Sequence, residues 1–156
     1  MAAKDKKVIL RGSGTRNEDD AGGTITPGDL VDFDSSGDVI RHASAGGNAS
    51  PRFAVEQDFI GAERTVNYTT GQLVQHETLS QGQQVGANVA ANAPAIVKGD
   101  YLESAGDGTL RVALQQFGGG SPMGDAIITR NIIAQALEDV NNSSGGSIVR
   151  IVAEIV

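Results

Sequence analysis

The sequence predicts an all-β protein: a small barrel or sandwich built from two pseudo-repeated hairpin units, with an extended N-terminal arm and little helix. Three observations predict it. Short β-branched runs alternate with turn residues at close intervals. The segment Gly28-Asp29-Leu30-Val31-Asp32 recurs as Gly99-Asp100-Tyr101-Leu102-Glu103. The chain closes on residues 147–156, a run rich in valine and isoleucine that reads as a strand.

The elements follow in order. Residues 1–26 read as an arm in which Lys7 to Arg11 makes one short strand. The polar, glycine-rich stretch over 12–23 has no apolar period and cannot bury enough surface to fold alone. It is either a disordered terminus or an arm that orders on a partner. Residues 27–156 form a single β-rich domain with pseudo-repeats at about 27–57 and 97–140.

Thr26-Pro27-Gly28-Asp29 carries Pro and Gly at the central positions of a type II turn. Leu30 to Phe33 and Val39 to His42 make a hairpin around Asp34-Ser35-Ser36-Gly37-Asp38, and Phe53 to Glu56 is a further strand. In the second copy, Tyr101 to Ser104 and Thr109 to Val112 flank Ala105-Gly106-Asp107-Gly108. The return strand Val39-Ile40-Arg41-His42-Ala43 aligns with Thr109-Leu110-Arg111-Val112-Ala113, with one residue fewer in the second turn. Ala54-Val55-Glu56 pairs with Ala136-Leu137-Glu138.

Between the copies, Val66-Asn67-Tyr68 and Leu73-Val74-Gln75-His76 read as a hairpin about Thr69-Thr70-Gly71-Gln72. Residues 85–95 are open between an extended crossover and a short helix. Residues 125–141 are open between helix and strand; strand is favoured over 132–140 because hairpin closure onto the final strand is local. The second copy also carries a glycine-rich insertion, 116–124. It is either a tolerant surface loop or a contact loop, with Phe117, Gly118, Gly119, Gly120, Pro122 and Met123 as its contact candidates.

Composition excludes several function classes. The 156 residues suit one domain, and 12 Lys+Arg against 19 Asp+Glu give a net charge of -7. An acidic chain repels phosphate backbones, so no nucleic-acid partner is expected. No run approaches the ~20 apolar residues of a membrane span, so no membrane partner is expected either. Only Val8-Ile9-Leu10 follows the basic Lys4, Lys6 and Lys7, too short for a signal-peptide core, and a soluble, unprocessed chain is expected. The absence of cysteine removes disulfides, thiolate nucleophiles and zinc–thiolate sites. Aromatics at 4% leave a lean core, so part of the stability is expected from subunit contacts.

No chemistry-bearing motif survives inspection. His42 and His76, the two histidines, are far apart in sequence and read as strand residues. Asp32-Phe33-Asp34-Ser35-Ser36-Gly37 imitates the start of an EF-hand loop. Its twelfth position falls on Ala43 rather than Glu, and its flanks are strands, so it reads as a hairpin turn. Gly12-Ser13-Gly14 and Gly118-Gly119-Gly120 lack the Lys-Ser/Thr of a phosphate loop. No enzyme activity, metal or cofactor is expected.

The stretch Ala95-Ile96-Val97-Lys98-Gly99-Asp100-Tyr101-Leu102-Glu103-Ser104-Ala105-Gly106-Asp107-Gly108-Thr109-Leu110-Arg111-Val112-Ala113 carries a family resemblance. With Ile133-Ala134-Gln135-Ala136-Leu137-Glu138-Asp139-Val140 and Ile148-Val149-Arg150-Ile151-Val152-Ala153-Glu154-Ile155-Val156, it resembles the head decoration, or capsid cement, proteins of tailed viruses with HK97-type capsids. The resemblance implies a structural virion protein, made in the host cytoplasm and located on the outer capsid surface. Its partners would be the major capsid protein and further copies of itself, with a trimer favoured, and it would stabilise the shell by bridging capsomers. The N-terminal arm would then add a strand to the capsid protein through Val8, Ile9 and Leu10, while Lys6, Lys7 and Arg11 meet an acidic surface. Val97-Lys98-Gly99-Asp100-Tyr101-Leu102 also resembles the turn of biotinyl or lipoyl carrier domains. That alternative needs a lysine at an exposed hairpin tip, and Lys98 falls in the Gly-Asp turn instead.

Overall fold

The computed structural model describes residues 2–61, 63–114 and 131–156. In chain order the elements are α1 (Ala3–Lys6), β1 (Ile9–Arg11), β2 (Thr15–Asp20), β3 (Val31–Phe33), β4 (Val39–Arg41), β5 (Arg52–Ala54), β6 (Leu73–Thr78), β7 (Gln84–Val89), β8 (Tyr101–Ser104), β9 (Leu110–Val112), β10 (Ala134–Ala136) and β11 (Val149–Ile155). A 3-10 turn, Asp58–Ile60, follows β5. The protein is all-β, as the sequence predicts.

Strands β7, β11, β10, β8 and β9 pair in that order, and a parallel bridge from Val89 to Leu110 returns β9 to β7, closing a ring. Strands β2, β6, β5, β3 and β4 repeat the arrangement more loosely. The Leu30–Phe53 bridge joins β3 to β5, and the parallel Ala21–Val39 bridge brings β4 back to the end of β2. Several hydrogen bonds recur at equivalent positions in the two units. Gly28 N–H donates to Ala54 O and Gly99 N–H to Ala136 O, both at 2.8 Å. Ala54 N–H donates back to Asp29 O, as Ala136 N–H does to Asp100 O. Val55 N–H reaches Gln75 O where Leu137 N–H reaches Val152 O, so β6 matches β11 and β2 matches β7.

Both entry turns are type II, with Gly28 at φ +98° and Gly99 at φ +97°. This is backbone that side-chain-bearing residues rarely adopt, and it explains the recurring glycine. Each turn is locked by the aspartate after it: Asp29 Oδ2 accepts the Thr26 N–H at 2.9 Å, and Asp100 Oδ2 the Val97 N–H at 2.8 Å. The Gly-Asp pair is therefore one device, a turn that glycine permits and aspartate ties.

The cores repeat as well. The smaller cluster is Ala21, Ile25, Val31, Val39, Ala54, Tyr68 and Val74. Its positions match Val89, Ile96, Leu102, Leu110, Ala136, Val140 and Ile151 in the larger one. Leu30, Phe53, Val55 and Leu79 of the first unit also join the larger cluster, which is how the units fuse into one body. Burying a side chain of this size contributes ~1.5–3 kcal/mol.

Three expectations need correcting. The two hairpins have equal turns: Phe33 pairs Val39 as Ser104 pairs Leu110. Val39 thus corresponds to Leu110 rather than Thr109, and no residue is missing from the second turn. Arg41 and Arg111 are identical but not equivalent: Arg41 pairs with Val31 and Arg111 with Glu103. Residues 66–76 are not a hairpin, because Tyr68 bridges Ile25 and β6 pairs with β2 and β5.

Within 85–95, open in the sequence between an extended crossover and a short helix, residues 85–89 belong to the strand β7, paired to β1 on one side and β11 on the other. Its small residues serve close packing: a Cβ on Gly86 would lie 2.5 Å from Arg64 Nη1. The described part of 125–141 is strand at Ala134–Ala136, paired to β8 and β11.

The third correction concerns residues 1–26, which are part of the body rather than a free arm. Strand β1 pairs with β7, and β2 pairs along its full length with β6. Strand β2 reads Thr-Arg-Asn-Glu-Asp-Asp and is mostly exposed. Its backbone ladder and cross-strand polar pairs hold it, which an apolar-period argument cannot detect.

Candidate functional site

The candidate capsid-contact residues lie on a strap that crosses both units. Val8 is fully buried in the larger core; its N–H donates to Glu56 Oε2 at 3.0 Å and its carbonyl accepts the Gly86 N–H at 2.7 Å. Ile9 and Leu10 lie in or beside the β1–β7 ladder and are half-buried. Lys7 bonds to Asp58 and lies 3.1 Å from Glu56, and these carboxylates raise its pKa, the Asp58 hydrogen bond most of all. Lys4 bonds to Glu138, the counterpart of Glu56 in the second unit. Arg150 reaches Asp5 at 3.5 Å. Two equivalent glutamates, one per unit, are thus gripped by two lysines of one strap. Lys6 and Arg11 are exposed and, among the described residues, carry no ion pair.

Beneath the strap lies Arg64, fully buried. Its Nη1 donates to the carbonyls of Lys4 and Lys7 at 2.6 and 2.9 Å. Its Nη2 donates to Gly86 O and, at 3.2 Å, to Asn88 Oδ1, while its Nε is buried without a partner. Burial pushes the guanidinium down to about 10, which leaves it a cation at neutral pH. Asn88 then donates through Nδ2 to Pro27 O at 3.2 Å and to Asp29 Oδ1 at 2.8 Å. Burial, opposed by the Asn88 hydrogen bond, raises Asp29 to about 6. Sequence inspection missed this hub; the one signal was a lone arginine in a polar loop, which is no signal at all.

A cavity of about 430 Å³ opens beside the hub, lined among others by Asp5, Lys7, Glu56, Asp58 and Arg64. Lys7 pairs with Glu56 and Asp58, Asp5 with Arg150, and Arg64 donates to main-chain carbonyls, so these charges are engaged elsewhere rather than converging as an acid–base set. No group of three or more His, Cys, Asp or Glu among the described residues is placed to hold a metal ion. His42 is held by Ser104 Oγ at 2.7 Å and Asn48 O at 2.9 Å, a junction residue between the units. His76 bonds to Asp19 at 2.8 Å and meets Phe33 edge-on. Residues 34–38 form the predicted hairpin turn, with Asp34 Oδ1 accepting the Ser36 and Asp38 N–H groups. Lys98 sits in the entry turn before β8, away from either hairpin tip.

The second unit bears exposed apolar residues on the face beside β8 and β9. Tyr101 is 52% exposed and Leu114 51%, and both line an open groove with Val112 and Ile132. The loop candidates Phe117, Gly118, Gly119, Gly120, Pro122 and Met123 lie outside the described residues. No helix of the described residues is long and apolar enough to cross a membrane. A scan against protein-family models matches none, and a search of curated proteins finds no match.

Proposed function

We propose that this chain is a structural virion protein that binds the outer surface of an assembled capsid and stabilises it by bridging capsomers. One observation supports the reading above others. The three stretches that resemble capsid decoration proteins, 95–113, 133–140 and 148–156, lie on neighbouring strands β8 to β11 of one closed unit rather than scattered over the molecule. The resemblance thus covers a physical module.

The mode of attachment differs from a free arm. The inner edge of β1 is taken by β7, so Val8, Ile9 and Leu10 hold the strap to its own body. Among the described residues, strand β1 is an outermost strand of its sheet, and its outer edge offers main-chain groups to a capsid strand. Lys6 and Arg11 flank that edge and suit an acidic shell. Undecorated capsids mixed with the protein, pelleted and imaged, test the reading. Density on the shell exterior is the expected result, and a chain that stays in the supernatant at all ratios overturns it. The variant Lys6→Glu/Arg11→Glu is expected to lower occupancy by about tenfold.

A further inference from the structure

The two units do not meet through the same face. The first unit presents its entry turn and β3–β4 opening: Gly28, Leu30 and His42. The second presents its hairpin tip and the middle of β7: Ser104, Gly108 and Asn88. Gly108 closes the joint. Leu30 N–H donates to Gly108 O at 2.7 Å, and Gly108 N–H donates to His42 O at 3.2 Å. Asn88 N–H reaches Gly28 O at 3.1 Å. The contact is heterologous, joining the opening of one unit to the tip of the next.

A heterologous contact between equivalent units leaves one of each surface free. The second unit's opening is Gly99, Tyr101 and Ala113. Tyr101, counterpart of the fully buried Leu30, is 52% exposed. Ala113 N–H donates to Tyr101 O at 2.8 Å, as His42 does to Leu30. Among the described residues, no main-chain group fills in the second unit the slot that Gly108 fills in the first, between Leu30 N–H and His42 O. Ala113 O accepts no main-chain N–H among the described residues, whereas His42 O, its counterpart, accepts that of Gly108.

The first unit's tip is equally free. Gly37, counterpart of Gly108, has φ +91° against +85° and is exposed at its turn. Phe33, counterpart of Ser104, is 38% exposed. The charges also change in a matched way. Inside the chain, neutral Asn88 faces Pro27. On the two free surfaces their counterparts are Asp20 and Lys98, both exposed and of opposite sign.

We propose that the chain associates with copies of itself head to tail, the Gly37 tip and Asp20 of one chain entering the Tyr101–Ala113 opening and facing Lys98 of the next. The joint within each chain is the template for the joint between chains. Repetition in one direction yields a closed ring where the rotation permits and a filament otherwise. The inference is independent of shell binding: a protein that assembles in solution and ignores capsids refutes the proposed function alone.

Sedimentation over a wide concentration range tests it. The wild type is expected to populate species larger than the monomer. Tyr101→Asp blocks the opening, and Gly37→Asp blocks the tip with a residue that tolerates the left-handed region better than most. Each alone is expected to weaken association about tenfold or more. Mixed, the two have one intact surface of each kind and are expected to form a one-to-one dimer and nothing larger. Asp20→Lys and Lys98→Asp, both at exposed positions, are expected to weaken association singly and restore it when combined in one chain. A wild type that is monomeric throughout, single-face variants that assemble normally, or a mixture that stays monomeric while folded by circular dichroism would each overturn the inference.

Discussion

Asn88 Nδ2 lies 2.8 Å from Asp29 Oδ1, joining the entry turn of the first unit to the middle of the second unit's strand β7. Asp29 is 1% exposed. The tie that locks its turn therefore also locks the two units together, and it does so with a carboxylate taken out of water.

That burial sets a pH dependence. Burial raises Asp29 from 3.8 to about 6, so the folded chain holds a proton that the unfolded chain releases. The contribution is fully present below pH ~4 and is lost as pH rises through about 6, a change on the order of 3 kcal/mol. Asp29→Asn is expected to remove that slope. Urea denaturation of both proteins between pH 4 and 7 checks it, and parallel profiles would refute the assignment.

Arg64 is the second tie across the joint. Its removal leaves the carbonyls of Lys4, Lys7 and Gly86 without their donor. Arg64→Leu is expected to destabilise the fold by about 2–4 kcal/mol and to release the strap. Hydrogen exchange over residues 3–11 should accelerate more than exchange in β10 and β11.

Gly28 and Gly99 share a conformation but not surroundings. A Cβ on Gly28 would collide with Arg64 Nη2 and lie 2.9 Å from Asn88 Oδ1, while one on Gly99 would meet nothing within 4 Å. Gly99→Ala is expected to cost only the strain of a positive φ, about 1–2 kcal/mol. Gly28→Ala is expected to cost clearly more, because it also forces the two units apart. Equal losses in a thermal denaturation comparison would contradict the account of the joint.

Strands β2 and β7 occupy the same position in the two units, yet β2 is mostly exposed and β7 almost wholly buried. Local opening follows burial. Amides of Thr15–Asp20 that bond to β6 are expected to exchange faster than those of Gln84–Val89 that bond to β11. Equal protection would mean that the units open only together.

Much of the architecture is legible in the chain because its causes are local. A Pro-Gly or Lys-Gly pair fixes a type II turn whatever follows, and Asp29 and Asp100 tie those turns over three residues. The hairpins 31–41 and 102–112 close over short turns, and the duplicated Gly-Asp segment marks the two units. Even the distant match of Ala54 with Ala136 is readable, since both accept from the turn glycine of their own unit.

Tertiary structure decided the rest. Strand β2 has no apolar period, and only the ladder to β6 and pairs such as His76–Asp19 make it a strand. Arg64 is invisible in sequence because its hydrogen-bond partners, Asn88 apart, are main-chain carbonyls, and every residue has one of those. The different fates of Leu30 and Tyr101, equal in their units, depend on which face the other unit covers. The sequence by itself determined two like units and the turns that start them. Their order of contact, which leaves one opening filled and one free, is a long-range packing choice made only when the whole chain folds.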